Sequence, residues 1–271
     1  MLRLAVRVRR NDAELVLAEL LELTPGGVEQ VDLDEVVEYG VYGAPGELPE
    51  MPQVRAACGE ALVEVLTTEV GDDWADRWRE FHTPLVLAGA LTVRPPWEAV
   101  GSTEVDVVID PGRAFGTGAH PTTRLCLELM LELEPLGSFL DLGCGSGVLA
   151  ITAAKLGFAP VVAVDSDRLA IEATAANAGA NSVPLDIFRV DLRHEQAPVA
   201  ETVAANLLAP LLLELARMLV RAPASSRPVR VIASGLLERE ADAVAAEFAQ
   251  VGLAERGRRE LGGWAALLLC A

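Results

Sequence analysis

Lysine is almost absent. Lys155 stands alone beside 21 arginines, and 40 acidic residues leave a formal charge of -18. A surface so short of positive charge repels phosphate backbones, and no Lys/Arg stripe offsets it. Nucleic acid is therefore not expected as a direct partner, whereas a basic protein is. Cysteine is scarce too. Cys58, Cys126, Cys144 and Cys270 are scattered without metal-ligand spacing, so reduced thiols are expected rather than a metal site or a disulfide framework. Long hydrophobic runs are missing. The longest, TVAANLLAPLLLELARMLV from Thr202, is broken by Asn206, Pro210, Glu214 and Arg217, and reads as a strand and a buried helix. The opening MLRLAVRVRRND holds no continuous apolar stretch, so neither a signal peptide nor a membrane partner is expected. There is no internal repeat and no low-complexity tract. What remains is a chain of 271 residues, 51 % apolar, with enough material for a large domain and a small one. A cytoplasmic monomer is the expectation.

Leu2, Leu4, Val6 and Val8 alternate with arginines and Ala5, which predicts a half-buried strand. NDAELVLAELLEL predicts a helix capped by Asn11 or Asp12 and ended by Thr24-Pro25-Gly26-Gly27. Further strands (GVEQVDLDEVVEYGVYG), a short helix (MPQVRAACG) and a strand (ALVEVLTTEV) complete a βαββαβ order, that of a small α+β, ferredoxin-like domain. Residues 1–70 hold 5 arginines against 14 acids, a charge of -9 and half of the total. GDDWADRWREF reads as a connecting helix with Trp74 and Trp78 on one face. LVLAGALTVRPPW and TEVDVVID supply strands that lead into a loop at 111–123.

From there strands near 138–142, 160–165, 185–191, 201–206 and 228–234 interleave with helices near 147–157, 167–179, 210–221 and 236–250. GLAERGRREL and GWAALLLCA follow as two strands with no helix between them. The expected fold is α/β: a seven-strand, doubly wound Rossmann-like sheet with an antiparallel hairpin at its edge.

The stretch FLDLGCGSGVLAI carries the chemistry. Gly143, Gly145 and Gly147 let the backbone turn tightly behind the first strand of that sheet. The spacing is Gly-x-Gly-x-Gly, not the Gly-x-Gly-x-x-Gly of dinucleotide folds. Asp141, just before the turn, disfavours a pyrophosphate and attracts an ammonium or sulfonium group. Asp165, 24 residues on, ends the second strand, where an acid commonly holds both hydroxyls of a ribose. A ribose and a cation without phosphate describe S-adenosylmethionine, and the glycine pattern is that of class I methyltransferases. Asp191 ends the third strand, where an acid near the adenine and a plain turn former are both open. Asn206, in NLLAP, ends the fourth. Enzymes acting on planar nitrogens usually carry Asn-Pro-Pro-Tyr here. Leu207 and Leu208 replace the prolines and no aromatic follows, which favours an aliphatic amine as target. No metal is expected.

The segment DPGRAFGTGAHPTT (Asp110–Thr123) is the most distinctive in the chain. Its FGTGxHxTT core resembles the bacterial ribosomal protein L11 methyltransferase family. DDWADRW, VRPPW, DLGCGSGVLAI, AANLL, SGLLEREADAV and GGWAALLL agree, and together they span nearly the whole chain after residue 70. The resemblance implies a substrate-recognition domain over 1–62, a linker over 63–80 and an S-adenosylmethionine-dependent methyltransferase domain over 81–271. It also implies that Thr123 (with Thr122), Gly143, Asp165 and Asn206 bind the cofactor. Gly145 and Asp141 belong to the same turn, and Phe115 could cover the cofactor, flanked by Gly116 and Gly118 as hinges. Where the family often reads Asp-Ile-Asp, this chain has Asp165-Ser166-Asp167, which keeps the ribose acid. The implied activity is methyl transfer to the N-terminal α-amine and lysine side chains of a basic large-subunit protein, ribosomal protein L11. Asn206 would orient the amine, and a hinge around 70–80 would present different amines. His120 is left open between a proton acceptor and a residue bonded to its own backbone. The alternatives are another protein or a small-molecule amine as substrate, an RNA methyltransferase, and a module that binds the cofactor without turnover.

Overall fold

Alternation decides the start of the chain. Leu4, Val6 and Val8 are buried on one side of strand β1 (Leu2–Arg9), and Arg3 and Arg7 on the other side reach across the sheet to Glu29, Glu38 and Glu64. This computed structural model describes residues 2–24, 28–43, 48–49, 51–69, 83–111, 120–192, 194–223 and 226–271. They divide into two compact units, one of residues up to 69 and one of residues from 83 onward. Helix α1 (Ala13–Leu23), strands β2 (Glu29–Leu33) and β3 (Val36–Gly43), helix α2 (Met51–Cys58) and strand β4 (Leu62–Glu69) complete the first unit. Its sheet is antiparallel in the order β2-β3-β1-β4, the ferredoxin-like arrangement expected from βαββαβ. Val16, Leu20 and Val54 from the helices pack on Val6, Tyr39 and Val41 from the strands.

Two expectations change here. Asp12 occupies the N-cap of α1 but makes no capping hydrogen bond, and Asn11 sits in the 3₁₀ turn Arg10–Asp12. That turn holds Asp12 at φ -108° and ψ -2°, a helical conformation, whereas side-chain capping needs extended backbone. Residues 63–69, expected in the linker, belong to β4, which pairs with β1 along its length and closes the sheet. The remainder of that linker, with Trp74 and Trp78, lies outside the described residues.

The second unit opens with a small sheet of β5 (Leu85–Leu87), β6 (Leu91–Arg94) and β7 (Val105–Val108). Its main sheet holds β8 (Phe139–Leu142), β9 (Val161–Asp165), β10 (Asp186–Arg189), β11 (Thr202–Asn206), β12 (Arg230–Leu237), β13 (Ala254–Leu261) and β14 (Trp264–Cys270). The order is β10-β9-β8-β11-β12-β14-β13, with parallel pairs throughout except that β14 runs antiparallel to β12 and β13. Helices α3 (Pro121–Met130), α4 (Val148–Leu156) and α5 (Arg168–Asn181) send Leu125, Leu129, Ile151 and Ala178 into the core on one face. Helices α6 (Ala209–Arg221) and α7 (Ala241–Ala249) send Leu212, Leu215, Val244 and Phe248 into the other. This is the doubly wound sheet that the βα alternation predicts.

The elements fall within a few residues of expectation, except at β12. It continues to Leu237, and α7 starts at Ala241 after a 3₁₀ turn, Glu238–Glu240, rather than near 236. The register against β14 shifts between Ser234 and Leu236, and pairing then resumes with Leu236 opposite Ala265 and Leu237 opposite Trp264. Strand order reverses between β8 and β11, so a crevice lies beyond their carboxyl ends.

Candidate functional site

The glycine turn sits at that crevice. Gly143, Gly145 and Gly147 take φ of +75°, +53° and +82°, which favour glycine. Gly143 and Cys144 donate their N–H groups to the Val164 carbonyl at 2.9 and 3.0 Å, which fastens the turn to β9. A side chain at Gly147 would stand 2.8 Å from Thr174 Cγ2, so this glycine also permits the close packing of α5 on the turn.

Asp165 ends β9 half-buried beside the turn. Its Oδ2 accepts from the Gly145 N–H at 3.0 Å and its Oδ1 from the Asp167 N–H at 2.9 Å. Asp167 in turn caps α5 by accepting from Leu169 N–H. An ionised carboxylate offers about four acceptor positions, so Asp165 keeps capacity for two hydroxyls.

Asp141 occupies a different place from the one expected. It is 1 % exposed, beneath the turn rather than at its surface. Its Oδ2 accepts from the Ala150 N–H at 3.0 Å, and among the described residues its Oδ1 has no hydrogen-bond partner. Burial pushes its pKa up to about 7, the Ala150 N–H opposes the shift, and the nearby Asp165 carboxylate adds to it. The reason is positional: β8 is central in the sheet, and its side chain at 141 is covered by α4.

Asn206 ends β11, opposite Ser234 of β12. Its Nδ2 donates to Thr123 Oγ1 at 3.3 Å, a contact between residues 83 positions apart. Thr122 and Thr123 open α3 after Pro121, as expected, but both are buried, at 2 % and 1 % exposure. The Thr122 hydroxyl is 2.8 Å from His120 Nδ1, so this residue is engaged within its own turn. His120 is the N-cap of α3, where Nδ1 accepts from the Thr122 N–H at 3.4 Å. Its ring meets Trp264 edge-on at 5.2 Å, and burial holds its pKa below the ordinary imidazole value. Of the two roles left open for His120, the geometry shows the capping one. Phe115, Gly116 and Gly118 lie outside the described residues. Asp191 lies two residues past β10, with its carbonyl accepting from His194 and Glu195 N–H at 2.9 and 2.8 Å, the geometry of a turn former.

Sequence reasoning missed Ser234. Its buried hydroxyl is 3.0 Å from the Ala265 carbonyl and 3.3 Å from that of Thr122, and donates to one at a time, which ties the start of α3 to the sheet. The available signal was a lone serine in the apolar run VIASG. Gly235 and Trp264 lie on the same paired strands, β12 and β14.

A mostly parallel seven-strand sheet whose single antiparallel strand lies inside one edge, with this glycine turn and an acid at the tip of the next strand, defines a class I S-adenosylmethionine-dependent methyltransferase. The model of the family "Ribosomal protein L11 methyltransferase (PrmA)" matches residues 50–270, and the chain belongs to that family. Relatives named ribosomal protein L11 methyltransferase include that of Pelotomaculum thermopropionicum, 35 % identical with 98 % of this chain and 97 % of the relative covered. Another is that of Symbiobacterium thermophilum, 37 % identical over 92 % of this chain and 84 % of the relative. Among solved structures, a ribosomal protein L11 methylase from Lactobacillus delbrueckii subsp. bulgaricus matches with a TM-score of 0.60 at 26 % identity, covering 69 % of this chain and 97 % of that one. The residues fit the donor. The turn GCGSG has no basic side chain to hold a phosphate, and Asp165 supplies acceptors for a diol. Among the described residues no helix is long and apolar enough to cross a membrane.

Proposed function

We propose that this enzyme methylates amino groups of ribosomal protein L11, the N-terminal α-amine and lysine side chains, in the cytoplasm. Thr123, Gly143, Gly145, Asp165 and Asn206 would hold S-adenosylmethionine, with Asp165 on the ribose hydroxyls. Asp141 would act from beneath the turn through Ala150, and Phe115 would cover the site. Bound there, the cofactor supplies a methyl group on a positively charged sulfur, open to in-line displacement.

The observation that carries the amine reading is the Asn206–Thr123 contact. Donation from Nδ2 to Thr123 turns Asn206 Oδ1 the other way, where it can accept from the N–H of an incoming amine and fix its lone pair. An amide is no base, so the amine must arrive neutral. For a lysine of pKa about 10.4 that costs roughly 4–5 kcal/mol at pH 7, and for an α-amine near 8 about 1 kcal/mol. The terminal amine is the easier target. The absence of an aromatic after Asn206 removes the stacking surface that planar nitrogens use.

The first unit, with its share of the acidic charge, would recognise the basic substrate. Incubating the protein with labelled donor, purified large-subunit proteins, ribosomal RNA and small amines tests the whole reading. Label is expected on ribosomal protein L11 alone. Label on RNA, or only on small amines, overturns it.

A further inference from the structure

The segment that leaves β11 lies directly on the bulge of β12. Leu207 donates its N–H to the Ser234 carbonyl at 2.9 Å, and the next residue of β12, Gly235, has φ +83°. A Cβ on Gly235 would stand 2.6 Å from the Leu207 carbonyl oxygen, 2.8 Å from its carbon and 2.9 Å from its nitrogen. These are backbone atoms, so none of them can swing aside. On its other side Leu207 reaches the glycine turn. A Cβ on Gly143 would stand 2.6 Å from Leu207 Cδ2. Leu207 is thus seated between two glycines, Gly235 in β12 and Gly143 in the turn just past β8, and each lacks the side chain that would displace it.

We infer that Leu207 is a positioning residue for methyl transfer: seated on Gly235, its peptide holds Asn206 at the reaction centre, and its side chain walls the glycine turn. The inference rests on the reading of Asn206 as the group that orients the amine. Three features support it. Asn206 is the adjoining residue and pairs with Ser234, the neighbour of Gly235, so a shift of the Leu207 peptide is transmitted to Asn206 through one bond. The Asn206 contact with Thr123, at 3.3 Å, is long enough to be lost by a small displacement. The bulge puts Gly235 out of register with β14, at the residue whose Cα lies against the Leu207 peptide. The side chain of Leu207 also occupies the space beside Gly143, so the wall there is aliphatic.

The test compares Gly235→Ala with Gly252→Ala. Gly252, in the turn after α7, has a similar φ of +87° but nothing within 4 Å of an added Cβ, so it measures backbone strain without collision. Gly252→Ala is expected to lose a few degrees of thermal midpoint, and Gly235→Ala more, because the collision adds to the strain. Only Gly235→Ala should lower kcat, by about 100-fold, with the KM for the donor changed much less. Gly252→Ala should keep wild-type kcat. Equal kcat in the two variants overturns the inference. Asn206→Ala is the reference: if it leaves kcat intact, the amine-orienting role of Asn206 itself is wrong. If it lowers kcat while Gly235→Ala does not, only the inference about Leu207 fails. Should Gly235→Ala not fold, Leu207→Ala carries the test, because it removes the wall and leaves the peptide in place. An expected fall in kcat of about ten-fold supports the inference, and unchanged kcat overturns it.

Discussion

Two aspartates flank the glycine turn, and their surroundings give them opposite characters. Asp165 is half-buried and accepts two backbone N–H groups, which fix its side chain beside the turn. Asp165→Ala removes both the ribose acceptor and the anchor of Gly145. Calorimetry is expected to show donor affinity weakened about 100-fold, as for the loss of two hydrogen bonds to a charged group. A loss under about three-fold would remove Asp165 from the site. Asp141 is covered, and its folded pKa of about 7 lies above the ordinary value of 3.8. Between those values the folded protein keeps a proton that the unfolded chain has released. The stability this group contributes is therefore complete below about pH 4 and is lost as pH rises toward 7. Asp141→Asn removes the titration. Its thermal midpoint, measured relative to wild type, should climb between about pH 4 and pH 7. Parallel curves would show that Asp141 titrates normally.

At the scale of elements, the start of α3 is the joint on which the site turns. His120 caps it, Ser234 ties it to β12, and Thr123 meets Asn206 across it. His120→Ala should cost about 1 kcal/mol, the ordinary value of a helix cap, read as a lowered denaturation midpoint. Because the ring acts as a neutral cap, the pH–rate profile of the variant should keep its wild-type shape. Disappearance of a limb below about pH 6.5 in the variant would instead make His120 the proton acceptor. Much of this level was legible in advance. The strands of the main sheet are apolar runs punctuated by glycine, proline and acids, and those signals are local. The extension of β12 to Leu237 was not legible, because a strand interrupted by Gly235 continues only if β14 is there to resume the pairing.

For the whole molecule, charge is the dominant property. At -18, with half of it on residues 1–70, the protein should attract a basic substrate over distances set by the ionic atmosphere. Raising salt from about 0.05 to 0.5 M should increase KM for ribosomal protein L11 several-fold and leave KM for the donor nearly unchanged. A salt-insensitive KM would mean that recognition is not electrostatic. The sequence by itself determined the class of this protein: the βα alternation, the closing strand pair, the three glycines behind an aspartate and the acid at residue 165 are each set by spacing along the chain. Which aspartate faces the crevice, that Asn206 meets Thr123, and that Leu207 sits between Gly143 and Gly235 were decided only by the tertiary structure. Periodicity reports the conformation of neighbours in sequence, whereas burial and close approach depend on strands and helices that the chain brings together from far apart.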